Sequence, residues 1–154
     1  MTDFARLFAY DSDANQRLLD ALRAADSTAP GQLDGERQVF AHLVTAKQVW
    51  RARLKGLPWT GAIWPDLDWD ACADLVEVNR ADYAVYFEEC SDDLDVAAVY
   101  HNSRGQRFET ARRDILMHLL IHGGYHRGQL ARALREAGHA PPNTDYITHV
   151  RQGT

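Results

Sequence analysis

The sequence predicts an all-α protein, a four-helix bundle with a small β-hairpin before the last long helix. Two observations predict this class. Four long segments repeat apolar residues every three or four positions, the signature of helices with one buried face. One stretch, VAAVYHNSRGQRFET at 96–110, instead places β-prone residues on both sides of a turn tract. A length of 154 residues suits one domain over residues 1–154, able to bury roughly 68–70% of the surface its unfolded chain exposes. Such a core needs no metal or disulfide staple, so an ion bound here is free to serve function.

The first helix is expected from Thr2 to about Ala25, where Phe4, Leu7, Phe8, Ala14, Leu18, Ala21, Leu22 and Ala25 form one stripe. The tract holding Ser27, Thr28, Pro30, Gly31 and Gly35 is expected to break it. A second stripe follows through Val39, His42, Leu43, Ala46, Val49, Trp50 and Leu54, with His42 on its buried side. Gly56 and Pro58 end that helix and open the loop GLPWTGAIWPDLDW, which carries Trp59, Trp64 and Trp69. Tryptophan is heavily buried on average, so these three are expected to cap one end of the core; the alternative is an apolar wall beside a pocket or partner.

A third helix is expected from Trp69 or Asp70 to Cys90, its acidic start suiting a helix N-terminus, with Ser91 to Asp93 punctuating its end. The hairpin turns at Asn102, Ser103, Arg104 and Gly105. Thr110 is expected to cap a fourth helix that runs to about Ala137 and stops at Gly138, ahead of Pro141 and Pro142. The tail after Asn143 reads as a short helical turn or coil.

Acidic side chains outnumber basic ones 22 to 17, the net charge is −5, and no Lys/Arg cluster stands out. That balance argues against nucleic acid as a partner. The start MTDFARLFAYDSD has no basic and apolar leader pattern, and no apolar run approaches the roughly 18 residues of a membrane span, so a cytoplasmic protein without membrane contact is expected. Cys72 and Cys90 would lie about 27 Å apart on one continuous helix, beyond disulfide reach, and are expected to be buried thiols.

Histidine is the unusual residue. Seven occur, and His118, His122, His126 and His139 fall within 22 residues. In DILMHLLIHGGYHRGQLARALREAG, each step of four turns the helix by about 40° and advances it about 6 Å, so adjacent members can chelate one ion. His118 and His126 are about 12 Å apart along the axis, too far to share an ion at metal–nitrogen distances near 2.1 Å. Spacing alone leaves His118 with His122, or His122 with His126. The glycines Gly123, Gly124 and Gly128, each costing roughly 1 kcal/mol inside a helix, favour the second pair if they clear space around an ion or admit a neighbouring helix. A third ligand must come from another helix, and His42 is the histidine on such a buried stripe. Against this stands the ordinary fate of an HxxxH pair, a hydrogen-bonded core; three buried imidazoles without a shared role would be costly. His101, His139 and His149 fall in hairpin or tail, where solvated histidines are expected, one of them able to line a pocket mouth.

On His42 in FAHLVTAKQVW, the hairpin glycine in YHNSRGQRFETARRDILMH, and above all HGGYHRGQL followed by LREAGHAPPNTDYI, the sequence resembles the DinB superfamily over nearly its whole length. The resemblance implies up-down-down-up connectivity, a homodimer, and a divalent ion held by three histidines. Carried over by position, the metal ligands are His42, His122 and His126, with His118 packing or supporting the pair. Three neutral imidazoles would leave the ion, zinc or nickel foremost, its full charge and an open position, the arrangement of a catalytic site. Two functions follow. One is an enzyme in which the ion activates a low-molecular-weight thiol cofactor, or water, against a small-molecule substrate. The other is a metal-holding, stress-associated module without turnover. Gly123 stands where an HExxH protease carries Glu, which disfavours that chemistry, and Arg127, Asp145 and Tyr146 are nearby polar residues without an assigned role.

Overall fold

The computed structural model describes residues 2–90 and 93–152. Helix α1 spans Phe4–Thr28, α2 Asp34–Leu54, α3 Trp69–Cys90, α4 Arg112–Glu136 and the short α5 Tyr146–Gln152; strands β1, Ala97–His101, and β2, Arg107–Ala111, lie between α3 and α4. No described helix is long and apolar enough to cross a membrane.

Local chemistry sets most of these boundaries. Asp3 caps α1, its carboxylate accepting from the Arg6 amide at 2.9 Å. The expected break at Ser27 and Thr28 comes later, because their hydroxyls donate back to the carbonyls of Ala24 and Ala25 and extend the last turn. Gly35 sits in the first turn of α2 beside Asp34 and Glu36, which favour a helix N-terminus. Thr110 does not cap α4: it pairs with Ala98 in the hairpin, and Ala111 precedes the helix without a side-chain cap. The strands pair antiparallel from Ala97↔Ala111 to His101↔Arg107. Their turn is built by Asn102, whose Oδ1 accepts from the amides of Arg104 and Gln106, while Gly105 takes φ +75°, which a Cβ would disfavour. Of the tract expected to end α3, Ser91 and Asp92 lie outside the described residues.

Helix direction is legible from cross-helix pairs. Along α2 and α3 the partners rise together, Phe40 with Trp69, Val44 with Asn79, Lys47 with Tyr83 and Lys55 with Glu89, so these helices are parallel. Phe8 meets Phe87 whereas Arg23 meets Asp70, so α1 and α3 are antiparallel. Trp50 meets His118 whereas His42 meets His126, so α2 and α4 are antiparallel too. The connectivity is therefore up-down-down-up, made possible by the loop at 55–68 that carries the chain back along the bundle.

The core falls into two apolar clusters. One holds Leu18, Leu22, Phe40, Val44, Cys72, Leu130 and Leu134; the other Phe8, Leu54, Tyr83, Phe87, Ile115 and Leu119. Between them runs a polar stratum. Asp11 of α1, fully buried, pairs with both Lys47 of α2 and Arg127 of α4, themselves 3% and 6% exposed. Asn15 completes it, donating to Asp11 at 3.2 Å and accepting from Arg127 at 2.9 Å. Burial by itself would raise the Asp11 carboxyl, but the two cations outweigh it and hold the group below the usual carboxylate range.

Some expected placements need correction. The three tryptophans do not jointly cap the core. Trp69 packs on the first cluster and donates to Asp26, but Trp64 is 51% exposed and Trp59 37%. Cys72 is buried as expected and its thiol is pushed up to about 11 by desolvation, while Cys90 is only half-buried. His149 is not a free surface group: on α5 it packs against Tyr10 and approaches Asp13 at 3.6 Å.

Candidate metal centre

His42 comes from the middle of α2, and His122 and His126 from successive turns of α4, where the two helices face each other. The Nε2 atoms of His42 and His122 are 3.3 Å apart, those of His126 and His122 3.1 Å, and one donor atom from each residue lies within 4.8 Å of the others. Two nitrogens bound to one tetrahedral ion at about 2.05 Å are about 3.3 Å apart, so the spacing fits a shared cation. His42 and His126 are buried, and His122 is half-buried.

Two partners decide which nitrogen is available. The Ile63 carbonyl lies 2.8 Å from His42 Nδ1, so that nitrogen carries the proton and donates it. His126 Nδ1 likewise carries its proton and donates it to Gln129 Oε1, 2.8 Å away. Both rings then present bare Nε2 lone pairs toward His122. Between such facing nitrogens, a proton on His122 Nε2 or a shared cation offsets the repulsion of the lone pairs. Burial, reinforced by the neighbouring His126, His42 and His118, pushes His122 down to about 4, and burial also lowers His42, so both are neutral donors at pH 7. Trp64 lies flat on His42, ring centroids 3.8 Å apart and planes 6° from parallel, shielding one side of the cluster.

His118 lies outside the converging set. Its ring sits between Trp50 and His122, 5.3 and 5.6 Å away, and burial followed by the nearby Arg53 lowers its pKa. Of the polar candidates, Arg127 is committed to Asp11, Tyr146 packs on Tyr10 at 5.0 Å, and Asp145 is exposed at the start of the tail helix.

Of the two uses expected for the glycines, Gly123 serves the second, the close approach of a neighbouring helix. A Cβ on Gly123 would lie 2.8 Å from Asp11 Oδ1 and 3.1 Å from Arg127, so this glycine makes room for the buried ion pair rather than for an ion at the histidines. Gly124 and Gly128 face open space, with nothing within 4 Å of the point a Cβ would occupy. Gly123→Ala is therefore expected to destabilise the protein by about 1–3 kcal/mol in urea denaturation, through overpacking. Gly124→Ala and Gly128→Ala are expected to stabilise it by up to about 1 kcal/mol through helix propensity. Equal effects at all three positions would contradict the assignment.

Sequence reasoning missed Asp11, Lys47, Gln129 and Ile63. The first two had a signal, being charged residues in phase with apolar stripes: Asp11 follows Phe8 by three positions, and Lys47 follows Leu43 by four.

A four-helix bundle with a hairpin before its last long helix, and three histidines of α2 and α4 meeting inside it, defines the class of helical proteins with a potential internal metal site. The model of the DinB family matches residues 1–152, and the chain belongs to that family. It is 23% identical over 160 residues to Protein DinB of Bacillus subtilis (strain 168), covering 95% of this chain and 93% of the relative. A DinB-like protein from Bacillus cereus ATCC 10987 shares the fold with a TM-score of 0.68 and 23% identity, over 91% of this chain and 94% of the other.

Proposed function

We propose that His42, His122 and His126 hold a divalent ion, zinc or nickel foremost, and that the protein is a metal-dependent enzyme acting on a small molecule. The observation that carries this reading is the convergence of three Nε2 atoms, two of them stripped of protons by Ile63 and Gln129. An ion among three neutral imidazoles keeps its 2+ charge and lowers the pKa of a thiol or water. The low-molecular-weight thiol cofactor of a transferase, or the water of a hydrolase, is then the group activated. The chain itself contributes orientation: α2 and α4 fix the donors, Ile63 and Gln129 fix the tautomers, and Trp64 keeps one side apolar. Asp11 is unsuited to act as a base, because both its oxygens are committed to buried cations. The reading includes a cytoplasmic homodimer, and the exposed stripe of Met117, Ile121 and Tyr125 on α4 supplies an apolar face for a second copy.

The test has two stages. Metal analysis of the purified protein is expected to find about one ion per chain. Protein loaded with zinc, nickel or manganese is then assayed for thiol conjugation of 1-chloro-2,4-dinitrobenzene and for ester hydrolysis. A metal-dependent rate supports the enzyme; stoichiometric metal with no rate above background for any thiol would leave the metal-holding module instead.

A further inference from the structure

Next to the histidine cluster, a cleft of about 470 Å³ opens between the 56–63 loop and the β-hairpin. This is within the range of small-molecule sites. It shares a wall with the cluster, because Ile63, whose carbonyl holds His42, also lines the cleft. Its walls are apolar at Leu57, Trp59 and Val99, and no acidic residue among those described lines it, in a chain where acids outnumber bases.

The cation in this cleft is Arg53. Its guanidinium carbon lies 4.5 Å from the Trp50 ring centroid and 5.4 Å from that of Tyr100, so two aromatic rings fix its position. Among the described residues its side chain makes no ion pair and donates no hydrogen bond, although it is half-buried and carries five N–H donors. Stacking accounts for its position and leaves its N–H groups open to the cleft and to solvent. A guanidinium held in a fork on aromatic rings, facing an acid-free cleft, matches a planar carboxylate.

We propose that Arg53 is the receptor for a carboxylate on the small molecule that this protein binds. Eleven residues separate Arg53 from His42, which returns it to within about 20° of the same helix face. Its head folds back over Trp50, roughly 12 Å along the axis from His42. The ligand class is thus an extended organic acid with an apolar middle, its carboxylate at Arg53 and its other end toward the histidines. Only that last placement rests on the proposed metal site. The carboxylate belongs either to the thiol or to the second reactant.

The first experiment uses metal-free protein, so a failed metal site does not affect it. Tryptophan fluorescence is titrated with 4-phenylbutyrate and with its uncharged analogue 4-phenylbutyramide. The acid is expected to bind at least about tenfold more tightly, as befits a charged hydrogen-bonded pair. Arg53→Met, which keeps an apolar stem over Trp50, is expected to abolish the preference. If that variant folds poorly, Arg53→Lys is expected to weaken the acid severalfold and leave the amide unchanged. Equal binding of acid and amide in the wild type, a preference surviving in Arg53→Met, or an undiminished preference in Arg53→Lys overturns the proposal. The second experiment adds zinc and compares 6-mercaptohexanoate with hexanoate. Tightening by zinc of the thiol alone, lost on Arg53→Met, places the carboxylate on the thiol; zinc-independent, Arg53-dependent binding of both acids places it on the second reactant.

Discussion

Asp11→Ala is expected to lower folding stability by about 3–5 kcal/mol, the largest loss expected of a single substitution in this protein. The reason lies in what remains. Lys47 and Arg127 would stay almost wholly buried with their shared counter-ion gone, and uncompensated buried charge is far more costly than a lost attraction. Asp11→Asn keeps the volume but not the charge and is expected to lose nearly as much. Urea midpoints read both variants, and a loss below about 1 kcal/mol would show that water already solvates these cations in the folded protein. The pH dependence has a definite sign. The folded carboxyl titrates below its unfolded value, so its contribution is complete above the ordinary carboxylate range and is lost as pH falls through the lower folded value. The gap between wild type and Asp11→Asn should therefore hold from pH 7 down to about 4 and narrow only below it.

The second large effect concerns metal uptake. His42→Ala, His122→Ala and His126→Ala are each expected to weaken zinc binding by more than about 100-fold, because removing even a group that only orients a ligand typically costs 10–100-fold. Gln129→Leu, which leaves all three imidazoles but frees the His126 tautomer, should fall within that smaller range. His118→Ala is expected to leave affinity nearly unchanged and to lower stability, since its ring packs on Trp50 rather than joining the converging nitrogens. Competition against a chromophoric chelator measures all five. Equal losses in His118→Ala and His122→Ala would show that the ligand pair on α4 is misassigned.

How much of the fold and site is readable from the sequence depends on the range of each interaction. The four long helices are legible because their apolar period is local, and Gly138 ends α4's last turn with φ +84°, as its sequence position suggests. The HxxxH pair is legible for the same reason. The end of α1 departs from expectation because the hydroxyls of Ser27 and Thr28, residues that ordinarily favour turns, donate to the carbonyls of Ala24 and Ala25 one turn back. Thr110 departs from it because a β-branched residue beside a helix start suits both a cap and a strand, and pairing with Ala98 prevails. Gly123 carries a real signal with a distant cause: its neighbour Asp11 is more than a hundred positions away, and nothing in the local sequence names it. Ile63 acts through a backbone carbonyl, which every residue possesses, so its role has no sequence mark at all.

The charged stratum has one more consequence. Sliding α1, α2 or α4 by one helical turn, about 5.4 Å, would carry Asp11, Lys47 or Arg127 into the hydrocarbon on either side. The rods are thereby indexed against one another like keyed shafts, at a height that also sets His42 level with His122 and His126. An incoming ion would meet donors already in alignment, so its affinity would not be diminished by having to bring the scaffold into register.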